Sequence, residues 1–152
     1  MKKIFLVFTL ILFTSCGMNN QVVNKSPDSS VELTFKVNDG SPYYSIKKNN
    51  KIIVDESLLG LMLKNNLDFT NDLKIKSISS SSHSSKWSPT FGEEKNILNE
   101  YNQMKVLLSK DSLEMLLLFK IFNDGVAFKY DVPNQKNIIS YDIIDEKTEF
   151  NL

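Results

Sequence analysis

Strict alternation of apolar and polar residues, cut at short intervals by turn dipeptides, is the feature that most constrains this chain. Val31, Leu33, Phe35 and Val37 alternate with Glu32, Thr34, Lys36 and Asn38, which puts one apolar face inward along a half-buried strand. Asp39-Gly40 then supplies the positive φ of a tight turn, residues 43–48 return as the partner strand, and Asn49-Asn50 forms the next turn. Residues 51–54 and 58–63 extend the meander, and Leu73 with Ile75 marks another strand after the Asn71-Asp72 break. Over residues 113–122 both alternations are apolar, which predicts a central strand covered on two faces. Asn123-Asp124-Gly125 turns it, and Val126, Phe128, Tyr130 and Val132 form the inward face of the next strand before Pro133 stops it. Many short strands and no credible long helix predict an all-β protein, an antiparallel β-sandwich.

Two stretches fit this pattern less well. Residues 77–85 are serine apart from Ile78 and His83, so they cannot bury enough apolar surface to pack as core and read as an exposed, mobile loop. Ile97, Leu98, Tyr101, Met104 and Leu108 fit a helical stripe as well as a strand, which leaves residues 94–109 open, with strand expected from Met104 onward. At the far end Thr148, Phe150 and Leu152 alternate with Glu149 and Asn151, so the sequence stops inside a strand pattern. The sandwich is therefore expected to be incomplete, with an unpaired strand near Phe150.

The N-terminus reads as an export signal. Lys2 and Lys3 precede an apolar run over residues 4–13, broken only by Thr9 and too short for a bilayer, which needs roughly 20 residues. Leu12-Phe13-Thr14-Ser15-Cys16 resembles the lipobox of bacterial lipoproteins, and Cys16 is the one cysteine of the chain. The reading is a lipoprotein-type signal peptide over 1–15, a flexible tether over 16–30 and a sandwich domain over 31–152. Acylated Cys16 would hold the chain at the periplasmic or outer-membrane surface. A single cysteine also excludes an internal disulfide.

The formal net charge is zero, and slightly negative once Lys2 and Lys3 are removed, which argues against a nucleic-acid partner. Every basic residue is lysine, so the planar fork that grips phosphate with two hydrogen bonds is missing. His83 has no second histidine or cysteine to join it in a metal site and reads as a solvated loop residue. Adjacent Glu93 and Glu94 point to opposite faces in extended chain, so they do not form the facing carboxylate pair that glycoside hydrolysis requires. Trp87, the single tryptophan, is either a stacking platform for a sugar ring or, by the preferred reading, an indole half-buried at the sandwich edge. Tyr101 is open in the same way.

Several blocks carry a resemblance. They are Ser26-Pro27-Asp28, Val31-Glu32-Leu33-Thr34-Phe35, Asp39-Gly40-Ser41-Pro42-Tyr43-Tyr44-Ser45 and Leu59-Gly60-Leu61. More specific are Trp87-Ser88-Pro89-Thr90-Phe91-Gly92-Glu93-Glu94 with Asn99-Glu100-Tyr101-Asn102, and Phe119-Lys120-Ile121-Phe122-Asn123-Asp124-Gly125-Val126-Ala127-Phe128-Lys129-Tyr130. In order and content they resemble the N-terminal domain of glycoside hydrolase family 97, the α-glucosidases and α-galactosidases of Bacteroidetes. That resemblance implies a galactose-mutarotase-like supersandwich beside a (β/α)₈ barrel that carries the catalytic carboxylates and most ligands of the family's calcium. No barrel is in this sequence, so no catalytic residue, metal site or cofactor is expected in it. Lys120 and Lys129 stand where the family usually has arginine. The leading expectation is a non-catalytic, carbohydrate-binding-type fragment with Trp87, Glu93, Glu94 and Tyr101 as oligosaccharide or domain-interface residues. The alternatives are a free-standing envelope lipoprotein that binds oligosaccharide, and one half of a split α-glycosidase.

Overall fold

The computed structural model describes residues 20–152 apart from positions 66, 94, 137 and 139. Cys16, the signal segment and Glu94 lie outside the described residues. No helix forms among the described residues, and all strand pairing is antiparallel.

Strands β1 (Gln21–Lys25), β2 (Val31–Asn38), β3 (Ser41–Lys48) and β4 (Lys51–Leu58) make one four-stranded meander in that order. Its turns follow the sequence chemistry. Asp39 and Gly40 take φ of 49° and 78°, Asn49 and Asn50 take 50° and 66°, and these left-handed pairs match the twist of a two-residue hairpin. Strands β5 (Leu61–Leu63), β6 (Leu67–Asp68) and β11 (Ile143–Glu146) form a small sheet in the order β11-β5-β6. The second large sheet has the order β10-β9-β8-β7, from β7 (Lys74–Trp87), β8 (Ile97–Lys110), β9 (Leu113–Ile121) and β10 (Val126–Asp131).

The two large sheets face each other across a core of Val31, Leu33 and Phe35 on β2 and Met104, Val106, Leu108, Met115, Leu117, Phe119 and Ile121 on β8 and β9. Aromatic rings bridge the layers, with Phe35 to Phe119 at 5.9 Å and Tyr44 to Phe128 at 5.5 Å, and Phe119 and Phe128 pack across neighbouring strands of one sheet at 5.8 Å. Such pairs contribute about 0.5 to 1.5 kcal/mol each beyond the area they bury. The antiparallel sandwich predicted from the alternation is the observed architecture.

Four expectations are corrected. Residues 21–25 of the predicted tether are strand β1, registered on β2 from Gln21↔Lys36 to Lys25↔Glu32. A closed turn holds it there, in which Ser26 Oγ accepts from Val31 N and donates to Asp28 Oδ1, and Asp28 Oδ1 accepts from Ser30 N. Edge strands need no apolar period when a ladder and a turn supply the order. The serine-rich stretch is not a loop but most of β7, paired residue for residue with β8 from Ser77↔Leu107 to Trp87↔Ile97. Composition reported its failure to enter the core, which is right, but pairing requires only backbone groups. His83 therefore sits on a strand. Residues 97–110 are strand throughout, which removes the helical alternative. On β9 Met115, Leu117, Phe119 and Ile121 are fully buried while Leu116 and Leu118 on the other alternation are partly exposed, so the outer face is covered less completely than the expected two-sided burial.

The end of the chain also differs from expectation. Glu149 N donates to Leu58 O, Asp55 N to Asn151 O, and Tyr44 Oη to Glu149 O, so residues near Phe150 run along the β4 edge with bonded backbone. The Phe150 ring remains exposed yet lies 6.4 Å from Tyr44 and 6.3 Å from Phe128.

Candidate functional site

Register brings large apolar side chains and carboxylates together at the surface beside Trp87. β9 ends at Ile121, opposite Asn102, while β8 starts earlier, at Ile97. Beyond Asn102 the start of β8 is paired only with β7, and a notch opens between it and the 122–125 turn. The notch holds about 480 Å³ and is lined by Trp87, Ile97, Leu98, Asn99, Glu100, Phe122, Asn123 and Asp124.

Trp87 stands at the rim with 53% of its surface exposed, as the last residue of β7 opposite Ile97. The indole is thus about half covered at the sandwich edge and still presents a face to solvent. Leu98 is 62% exposed and Phe91, in the loop that follows Trp87, is 91% exposed. That loop is closed at its base by Ser88 Oγ donating to Asn96 Oδ1 at 3.2 Å. Glu93 is exposed in the same loop and does not line the notch.

Tyr101 is brought near but not displayed. It is 8% exposed, and its ring stacks on His83 at 4.7 Å and packs on Phe122 at 5.1 Å, with Lys120 Nζ 4.4 Å from the ring centroid. Tyr101 thus supports Phe122 from behind, and Phe122 forms part of the notch wall. The cation over the ring adds about 0.5 to 1 kcal/mol at such a partly exposed site.

Sequence reasoning missed Leu98, Glu100, Phe122, Asn123 and Asp124 as site residues. Asp124 was read from its turn chemistry alone, and nothing in the spacing between Trp87 and the 122–125 turn shows that they meet. The turn is positioned by Asn123, whose Oδ1 accepts from Asp28 N at 3.1 Å and whose carbonyl accepts from Ser30 Oγ at 3.2 Å. Among the described residues neither Glu100 nor Asp124 has a lysine partner. The arrangement offers an aromatic plane, an apolar wall, and carboxylate and amide acceptors at one opening. That combination suits a ring with one apolar face and a hydroxylated edge. No group of three metal-ligating side chains occurs among the described residues.

Comparison with known proteins supports this architecture. Residues 25–152 match the family described as Glycosyl-hydrolase 97 N-terminal. A retaining alpha-galactosidase of Bacteroides thetaiotaomicron is 26% identical over 132 residues, covering 86% of this chain and 19% of that protein. A glycoside hydrolase family 97 enzyme from Pseudoalteromonas sp. strain K8, solved in complex with panose, superposes with a TM-score of 0.79 at 29% identity, covering 85% of this chain and 20% of that one. A beta-arabinopyranosidase gives a TM-score of 0.78 at 28% identity, with coverage of 85% and 21%. The chain therefore spans about a fifth of the length of these relatives. A match over residues 25–152, joined to the same sandwich in the solved relatives, makes this chain a member of the glycosyl-hydrolase 97 N-terminal family.

Proposed function

We propose that this chain serves as the non-catalytic sandwich domain of a family 97 glycoside hydrolase and holds α-linked oligosaccharide at the Trp87 notch. The observation that carries the reading is the displayed indole at the mouth of a notch that also presents Glu100 and Asp124. The panose bound by the solved Pseudoalteromonas enzyme names a class of sugar to try first. Trp87 is the only tryptophan, so its fluorescence reports the site directly. Panose or maltooligosaccharide at millimolar concentration is expected to change the emission, and Trp87→Ala to abolish binding measured by calorimetry. Emission unchanged at those concentrations would remove the sugar-binding half of the proposal. Hydrolysis of an α-linked sugar by the chain alone would remove the non-catalytic half.

The partner under this reading is a (β/α)₈ catalytic barrel, and the anchor is a lipid on Cys16. Metabolic labelling with a radioactive fatty acid is expected to mark the wild-type chain and to leave Cys16→Ser unmarked. An equally labelled variant would place the lipid elsewhere.

A further inference from the structure

Residues 147–152 and the surface they lie on differ sharply in burial. Within the segment Thr148 is partly covered and the other residues are exposed, Phe150 at 63% and Leu152 at 96%. Directly beneath, Tyr44, Ser57 and Leu59 are sealed. A strand that belongs to a core buries one of its faces, whereas a docked peptide is held through its backbone by a seat already formed. The bonds here are of the second kind. The segment runs antiparallel to β4, with Lys147 N donating to Gly60 O, Glu149 N to Leu58 O and Asp55 N to Asn151 O, at 2.7 to 2.9 Å. Ser57 Oγ accepts from Asn151 N at 3.0 Å, and Glu56 O accepts from Asn151 Nδ2 at 2.8 Å. Two tyrosines reach the segment from opposite sheets. Tyr44 Oη, from β3, donates to Glu149 O at 2.8 Å, and Tyr130 Oη, from β10, shares a 2.7 Å bond with Thr148 Oγ1. The Phe150 ring lies against Tyr44 of one sheet and Phe128 of the other, at 6.4 and 6.3 Å.

We propose that the β4 edge, with Tyr44 and Tyr130, is a strand-acceptor seat, and that residues 147–152 are an exchangeable strap that leaves it as one unit while the sandwich stays folded. The strap bonds exchange for bonds to water, and its side chains already face solvent, so opening uncovers little apolar area. The seat then stands free. It fits an extended peptide of the strap's own chemistry, with a hydroxyl residue two places before an aromatic ring and an asparagine directly after that ring. The backbone ladder supplies the hold, and the Tyr44 and Phe128 rings select the aromatic side chain.

Native-state hydrogen exchange on the full chain tests whether the strap moves as a unit. Phe150→Ala removes a ring that is mostly exposed, and is expected to speed exchange at the amides of Asp55, Leu58, Lys147, Glu149 and Asn151 by one common factor, about threefold to tenfold. The amides of Phe35 and Leu117, in central strands, should be unchanged. Acceleration confined to residues 149–151, acceleration at every amide alike, or none at all overturns the proposal. Peptide binding supplies the second arm. Glu149→Pro removes both the N–H that donates to Leu58 O and the carboxylate that accepts from Leu58 N, and so holds the strap off its seat. A fluorescent peptide of residues 146–152 is expected to bind this variant about tenfold more tightly than wild type, where the strap competes, and the same peptide with alanine at the Phe150 position should not bind. Equal binding to variant and wild type, no binding to the variant, or a Glu149→Pro chain that fails to fold also overturns it.

Discussion

The hairpin formed by β7 and β8 has two ends in unlike circumstances. At its base Leu108 and Val106 are fully buried in the core, and Lys76 is ion-paired with Glu114 on β9. At its tip the strands continue in the same register, yet residues 81–87 are exposed, and on β8 Tyr101 is buried while Ile97, Asn99 and Glu100 find only partial cover. The base is held by burial and the tip by its hydrogen-bond ladder. Secondary structure that looks uniform along the strand therefore rests on two different supports, and the candidate site stands on the weaker one.

That contrast can be broken at either end. Leu108→Ala removes a fully buried side chain from the base and is expected to cost about 2 to 5 kcal/mol in urea unfolding. A loss below 1 kcal/mol would mean that the base does not depend on burial. A smaller effect is expected where the core is tied to the end of the chain. Tyr130 Oη accepts from Gly60 N at 3.1 Å and shares a 2.7 Å bond with Thr148 Oγ1, so Tyr130→Phe strands Gly60 N, while Thr148 Oγ1 keeps its bond to Glu146 Oε1, and is expected to cost about 1 to 3 kcal/mol.

Alkaline pH probes the same region. Burial, then the proximity of Tyr130, pushes the Tyr44 hydroxyl from its usual 10 up to about 12. The folded state then binds the proton more tightly than the unfolded chain, so this contribution is intact below pH 10 and lost as pH rises towards 12. Tyr44→Phe should flatten the fall in melting temperature across that window, and an unchanged slope would assign the fall to other groups. The smallest effect is expected at the tip. Ser84→Ala, on an exposed side chain, should lie within about 0.5 kcal/mol of wild type. Hydrogen exchange sharpens the comparison, with amides of residues 81–87 exchanging through local opening and those of residues 104–108 only near global unfolding. Equal protection at both ends, in a chain shown to be monomeric, would refute it.

Much of this was legible from particular residues. The alternation in Val31, Leu33, Phe35 and Val37 identified β2 and its buried face, and Asp39-Gly40 and Asn49-Asn50 identified two hairpin turns in their places. The serine run misled because composition measures whether a segment can enter a core, whereas a strand can be recruited by its backbone alone. Leu116 and Leu118 misled in the opposite sense, since an apolar residue on a partly covered face reads the same as one in the core. Of the candidate site, Trp87 could be singled out as a lone indole, but its display could not. Asp124 and Glu100 carried only the local chemistry of their own segments.

Local chemistry determined what the sequence could determine by itself: the all-β class, most strand periods, the turns and the family. These depend on residues within a few positions of one another, where pleat geometry and φ preference act directly. Only the tertiary structure decided which edge the chain returned to cover, which was left open, and that the start of β8 would outrun β9 to leave a notch beside Trp87. Those outcomes depend on pairing registers between segments far apart in sequence, and register is set jointly by all the strands that share a core.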